Sequence, residues 1–174
     1  MLEGEYIGLR AIDELDLPVL LAWRNRPEMR KFFREHRELN VAQQLKWFNS
    51  TVNSDPNTKM FAISELKTGK LLGACGLCHI DWVNRSADFS IYIGHESLYI
   101  DSHFAPDAAN TMRTYAFQEL GLHRLWAEVY SFDEKKINFF KSIRFLLDGR
   151  LRETHWHNGS WHDSLLFSYL STCK

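Results

Sequence analysis

The sequence is poor in the features that mark several whole classes of protein. Its 174 residues hold 3 cysteines, Cys75, Cys78 and Cys173, too few and too unevenly placed for a disulfide framework. No apolar run approaches the roughly 20 residues that cross a bilayer, so no membrane partner is expected. The first residues, Met-Leu-Glu-Gly-Glu, have neither a basic segment nor an apolar stretch. That start predicts no secretory signal and a cytoplasmic location. A surplus of positive charge is also missing, with 21 Lys+Arg against 22 Asp+Glu. Binding a polyanion requires neutralising its phosphates, so nucleic acid is excluded as the main partner. Repeats, low-complexity segments and linkers are absent too, and the length suits one domain over residues 1–174.

What is abundant is aromatic: 12 Phe, 6 Trp and 6 Tyr make 14% of the chain. Phe32-Phe33, Trp47-Phe48 and Phe139-Phe140 fall at helical core spacing, so core is the expected place for most of these rings.

The pattern along the chain alternates between strand and helix. Glu5 to Ile12 reads as a first strand, and Leu17, Leu20, Leu21 and Trp23 lie on one helical face. Pro27 interrupts that helix and places Trp23-Arg24-Asn25-Arg26 at a bend between two helical pieces. Asn40 and Gln43 have the spacing of a capping box opening the next helix. Lys59 to Leu66 and Leu71 to Ile80 form a hairpin about Lys67-Thr-Gly-Lys70. In the strand from Ser86 to Gly94, Phe89, Ile91 and Ile93 face one side and Asp88, Ser90 and Tyr92 the other. Pro106-Asp107 predicts a helix start, and Gly121 its end. A strand from His123 to Tyr130, a helix from Glu134 to Ile143 and strands over Leu146 to Glu153 and Trp161 to Leu170 complete the order. The expected fold is α/β, with a mixed, mostly antiparallel sheet of about seven strands flanked by about four helices.

Two clusters invite chemistry and are read as structural. His155, His157, His162 and Asp163 flank a tight turn, but an exposed hairpin is the expected role, so no metal site is assigned. Cys75 and Cys78 have redox spacing but lie within a strand, where residues three apart point to opposite faces.

Six short words carry a resemblance: Leu20-Leu-Ala-Trp-Arg-Asn25, Gly69-Lys-Leu-Leu-Gly73, Asp81-Trp-Val-Asn-Arg-Ser-Ala87, Ile91-Tyr-Ile-Gly94, Tyr115-Ala-Phe-Gln-Glu-Leu-Gly-Leu-His-Arg124 and Gly149-Arg-Leu-Arg-Glu153. In this order and spacing they resemble the GNAT acyltransferase superfamily. The similarity is greatest to its ribosomal-protein N-terminal acetyltransferase and amino-sugar acetyltransferase branch, and it spans nearly the whole chain. The resemblance implies acetyl transfer from acetyl-CoA to a primary amine of a small molecule or a peptide N-terminus. Attack would be direct, with no covalent enzyme intermediate. It places Asp88 at the proton-removing position, with Glu128 as a second choice. Backbone contacts to the thioester arm are implied at Ile91, Tyr92 and Ile93, and acceptor contacts at Trp23, Arg24 and Asn25. The phosphates are implied to lie on the turn and helix start at His103, Ala105, Pro106 and Asp107. Asp133 and Phe140 correspond to an arm-binding Asn and a proton-donating Tyr.

Several positions depart from the family pattern. The Gly-rich phosphate turn is Ile100-Asp-Ser-His-Phe-Ala105, and Ser86 to Met112 contains no Lys or Arg. His103 replaces a glycine that can take positive φ freely. Phe140 has no proton to give, and Arg144 replaces a nearby Gly as a candidate source of positive charge. Two readings follow: a working acetyltransferase, or a non-catalytic binding protein of the same fold that has lost its donor site. A homodimer through the terminal hairpin is a further expectation.

Overall fold

The computed structural model describes residues 1–172, so Cys173 falls outside the described residues. Eight strands form one sheet in the order β1-β2-β3-β4-β5-β6-β8-β7. They are β1 (Leu2–Glu3), β2 (Ile7–Ala11), β3 (Lys59–Glu65), β4 (Leu71–Asp81), β5 (Ser86–Ile93), β6 (Arg124–Tyr130), β7 (Leu146–His157) and β8 (Ser160–Leu170). The helices are α1 (Leu17–Asn25), α2 (Pro27–Arg30), α3 (Val41–Trp47), α4 (Phe104–Thr114) and α5 (Glu134–Ser142). The α/β class is as expected. The two-residue β1 raises the strand count above seven, and β7 runs on to His157 instead of ending at Glu153. Among the described residues no helix is long and apolar enough to cross a membrane.

The alternation along β5 sorts its side chains between two cores. Phe89, Ile91 and Ile93 join the cluster beneath α4 and α5, with Met112, Phe140 and Phe167. Tyr92 joins the cluster beneath α1 and α2, with Leu20, Trp23 and Met29. Aromatic rings fill the first core: Phe140 packs on Phe167 at 5.9 Å, on Phe145 at 5.0 Å and edge-on to Phe89 at 6.2 Å. Each such ring stabilises the fold by about 2–3 kcal/mol through area removed from water. Most of the aromatic excess is therefore packing.

Local signals behave as the chain predicts. Asn40 Oδ1 accepts from Gln43 N at 2.9 Å while Gln43 Oε1 accepts from Asn40 N at 2.9 Å, a complete capping box. Gly121 sits at φ +66 just past the wider helical turn Tyr115–Glu119 that continues α4. The start of α4 is corrected: it begins at Phe104, two residues before Pro106. Pro106 thus occupies the third helical position, where its missing N–H is one of the four that lack an intrahelical partner anyway.

The feature that makes a site is the junction of β5 and β6. All other neighbours in the sheet are antiparallel, but these two are parallel and share only Ser86↔Arg124, Ala87↔Leu125 and Asp88↔Trp126. Past Asp88 the pairing stops and the strands part, leaving a gap floored by both cores.

Candidate active site

Backbone groups line the β5 side of this gap. Ile93 N donates to Tyr99 O and Tyr99 N to Ile93 O, both at 2.8 Å, so the 94–99 segment folds back onto the strand end. Gly94 N points the other way, to Leu72 O on β4 at 2.9 Å. By alternation the N–H and C=O of Ile91 point into the gap, and those of Tyr92 point to β4. Of the three expected backbone positions, Ile91 is the one aimed at the gap. Ile93 is engaged by Tyr99, and the Tyr92 side chain lies in the opposite core, where burial pushes its hydroxyl up to about 12.

The other side of the gap is a cleft of about 250 Å³ where the strands part. Asp88 lies at its base, 5% exposed, and Glu128 stands on the facing strand. Between them sits Arg34, from the irregular segment joining α2 to α3. Its Nη1 donates to Asp88 Oδ2 at 2.7 Å and its Nη2 to Glu128 Oε2 at 3.5 Å. Burial works against the guanidinium's charge, but Asp88 and then Glu128 outweigh it and raise its pKa. His79 Nδ1 approaches the same Asp88 oxygen at 3.5 Å, so Oδ1 stays out of these contacts. Sequence reasoning paired neither carboxylate with Arg34, because the partners lie 54 and 94 residues apart.

Two further cations line this cleft. Arg24, at the end of α1, lays its guanidinium over the Phe33 ring at 5.0 Å. Lys136, one turn before Phe140 on α5, places Nζ over the Tyr99 ring at 5.4 Å. Burial lowers the Lys136 ammonium from the usual lysine range, against the pull of Asp133 and Asp88.

The flanking acceptor residues take other roles. Trp23 is 7% exposed in the core, and a Cβ on Gly94 would stand 2.0 Å from its ring. Only glycine permits that approach. Asn25 clamps the Arg34 segment: its Nδ2 donates to Leu39 O and its Oδ1 accepts from Leu39 N, both at 2.8 Å. Of the expected trio, Arg24 alone lines the cleft.

Asp133 caps α5 by accepting from Lys136 N at 3.0 Å and takes the Tyr99 hydroxyl at 2.5 Å. Burial raises its carboxyl, partly offset by Lys136 and Tyr99. Phe140 is wholly buried at the edge of the cleft, its ring packed in the core on Phe145 and Phe167.

A larger cavity, about 830 Å³, opens between α4 and α5. Arg113, Lys135 and Arg144 line it, three cations lying outside the stretch from Ser86 to Met112 that lacks them. At its rim the Asp101 carboxylate accepts from His103 N at 3.0 Å, Phe104 N at 2.7 Å and Ala105 N at 2.8 Å. An anionic group thus already rests on the turn's N–H groups, as the helix dipole favours. The glycine substitution carries no strain: His103 has φ −117, and its ring packs on Tyr6 at 4.2 Å. Asp107 faces away, its two oxygens accepting from Glu5 N, Tyr6 N and Ile7 N. That carboxylate ties the β1–β2 turn to α4. Cationic lining and an N–H cradle suit a pyrophosphate, provided Asp101 yields its place.

The remaining clusters are structural. His155 stacks on Tyr130 at 3.8 Å, and His157 on Phe132 at 4.9 Å. Asp163 binds Arg150 and Glu153 N. Burial pushes the Cys78 thiol up to about 11 and raises that of Cys75 further.

Comparison with known proteins gives this architecture a family. Residues 7–146 match the acetyltransferase (GNAT) domain family. A spermidine N(1)-acetyltransferase of Vibrio cholerae is 24% identical over 157 residues, covering 90% of this chain and 88% of that protein. A putative ribosomal N-acetyltransferase of Bacillus subtilis is 32% identical over 105 residues, 60% of this chain and 56% of that protein. The crystal structure of the Vibrio cholerae spermidine N-acetyltransferase with CoA and spermine superposes with a TM-score of 0.85, at 23% identity and 96% coverage of both chains. That likeness shows the fold alone. The family match, over four-fifths of the chain, shows more: this protein belongs to the GNAT acetyltransferases and is an acyltransferase with acetyl-CoA as its donor.

Proposed function

We propose that the protein moves the acetyl group of acetyl-CoA directly to the primary amine of a small molecule or a protein N-terminus. The observation that carries this reading is the parting of β5 and β6 at Asp88. It sets an outward-facing strand edge at Ile91 beside two carboxylates from opposite strands.

The donor supplies an activated acyl carbon. The chain's own groups then divide the work. An ammonium has no lone pair, so a proton must leave the acceptor first, and Asp88 Oδ1 and Glu128 are the acceptors in reach of the cleft. Glu128 is the freer of the two, since its contact with Arg34 is 3.5 Å against 2.7 Å for Asp88. The Ile91 N–H offers a donor for charge developing on an oxygen in the gap. Arg113, Lys135 and Arg144 supply the phosphate-binding charge. Neither Cys75 nor Cys78 lines the cleft, in keeping with transfer that does not pass through a thiol.

Titration calorimetry with acetyl-CoA, followed by thiol release across a panel of amines, tests this reading. Saturable heat and amine-dependent thiol release are expected. No heat and no thermal shift at millimolar acetyl-CoA would favour the non-catalytic alternative, with Asp101 as a permanent occupant of the donor turn. Self-association stays part of the proposal. The outer strand β7 exposes Leu146, Leu147 and Trp156, and light scattering should report a dimer or larger assembly.

A further inference from the structure

The charges of the acceptor cleft are unevenly committed. Both of its facing carboxylates, Asp88 and Glu128, are bridged by Arg34, and Glu35 at the rim is bound by Arg37 at 2.7 Å. Its other cations are not answered. Neither Arg24 nor Lys136 has a carboxylate within ion-pair distance among the described residues, and each rests on an aromatic ring instead. Arg24 is half-buried at the end of α1, and among the described residues its guanidinium meets the Phe33 face and no hydrogen-bond acceptor. A guanidinium drawn out of water in this way retains donors without acceptors, and a planar oxyanion matches their fork.

We infer that the acceptor is an amine that also carries a carboxylate or phosphate, and that Arg24 is the residue that seats this anion. This inference rests on the acetyl-transfer reading above and narrows its acceptor. The amine is drawn to the free oxygens of Asp88 and Glu128, while the anion pairs with Arg24 on the opposite wall. Lys136 adds positive potential to the same cleft. A polyamine, the acceptor named for the Vibrio cholerae relative, fits these charges poorly. Its several ammonium groups would compete with Arg34 for the two carboxylates and face Arg24 and Lys136 with like charge.

Matched pairs of amines test the inference: glucosamine 6-phosphate against glucosamine, and L-alanine against L-alaninamide, with spermidine as the polycation. The charged member of at least one pair should exceed its neutral partner in kcat/KM by about tenfold or more, the scale of one charge-assisted pair, with spermidine the poorest. Phosphate and carboxylate are told apart by which pair shows the gap. Arg24→Gln should shrink that ratio to about twofold through KM, and Arg24→Lys should keep only part of it, because an ammonium keeps the charge but loses the planar fork. Equal rates within both pairs, or spermidine as the best acceptor, overturn the inference. If Arg24→Gln melts early, the ratio in the unaltered protein decides alone. If no amine releases thiol and acetyl-CoA gives no heat, the acetyl-transfer reading fails separately. Calorimetric binding of the same five amines then still judges the cleft: tighter binding of a charged member supports the anion seat, and equal binding removes it.

Discussion

The donor cavity and the acceptor cleft are opposites in sign that share one device. Between α4 and α5 the lining is cationic, with Arg113, Lys135 and Arg144, and the occupant of the N–H groups is the Asp101 carboxylate. Where β5 and β6 part, the base of the cleft is anionic and the occupant is the Arg34 guanidinium. In each, a side chain of the protein rests where the proposed function would seat a ligand of the same charge. The difference lies in how the occupant is held. Asp101 reaches backbone groups two, three and four residues ahead of it, a local cap that forms with the helix. Arg34 spans two strands from an irregular segment, with half of its side chain in solvent. A local cap is hard to dislodge and a long-range, half-exposed pair is easy, so the two regions should respond differently to substitution.

The largest effect is expected at the carboxylates themselves. Asp88→Asn combined with Glu128→Gln should lower kcat by about 100-fold or more, the usual scale of losing general-base assistance, with a smaller change in KM. Steady-state kinetics of thiol release measure it, and a loss under threefold would remove proton abstraction from both residues.

Next comes the local occupant. Asp101→Ala should tighten acetyl-CoA binding by about tenfold in calorimetry, because an anion leaves the site of another anion. The same change should lower stability by about 1 kcal/mol in denaturant melts, as expected for a lost N-terminal cap. The two readouts moving in opposite directions is the signature of an occupant; a stability loss alone would make Asp101 only a cap.

Arg34→Gln should act more weakly. Arg34 itself is half in solvent, so the gain from freeing the carboxylates is expected to be modest, with turnover of spermidine rising by about fivefold. Competition assays with a charged and a neutral amine would show the preference shifting towards cations. Smallest is Asn25→Ala, which removes both bonds to Leu39 and loosens the segment that carries Arg34. About 1 kcal/mol of stability and a change of about twofold in rate are expected from melts and kinetics together.

The same local and long-range division separates what the sequence discloses from what it conceals. The box at Asn40 and Gln43, the stop at Gly121 and the two faces of β5 depend on neighbours a few residues away, and they are legible. The β5 pattern even assigns Phe89 and Tyr92 to different cores. Asp101 lay at the edge of legibility. An aspartate shortly before a helix is a capping signal, but Pro106-Asp107 carries a helix-start signal as well, and the two compete. Arg34 and Lys136 gave no such sign. One sits in a segment without periodicity, and the other is a lysine on a helix, ordinarily a solvent-facing residue. Their meaning comes from the strands they meet. Trp23, Arg24 and Asn25 differ for a related reason: one motif holds all three, but packing decides which member faces the cleft.

The three-rung parallel junction also bears on how this molecule assembles. Strands β1 to β5 pair in chain order, and β7 and β8 form a hairpin. Two neighbours in this order still close long loops: β2 meets β3 only across α1 to α3, with Ala11 opposite Phe61, and the rungs from Ser86 to Asp88 close only across the whole of α4. Each costs more chain entropy than a hairpin, and the parallel junction has only three rungs to offset it. Asp88 and Glu128 therefore share a cleft only once β6 has docked, and a chain interrupted before β6 has no cleft for an amine.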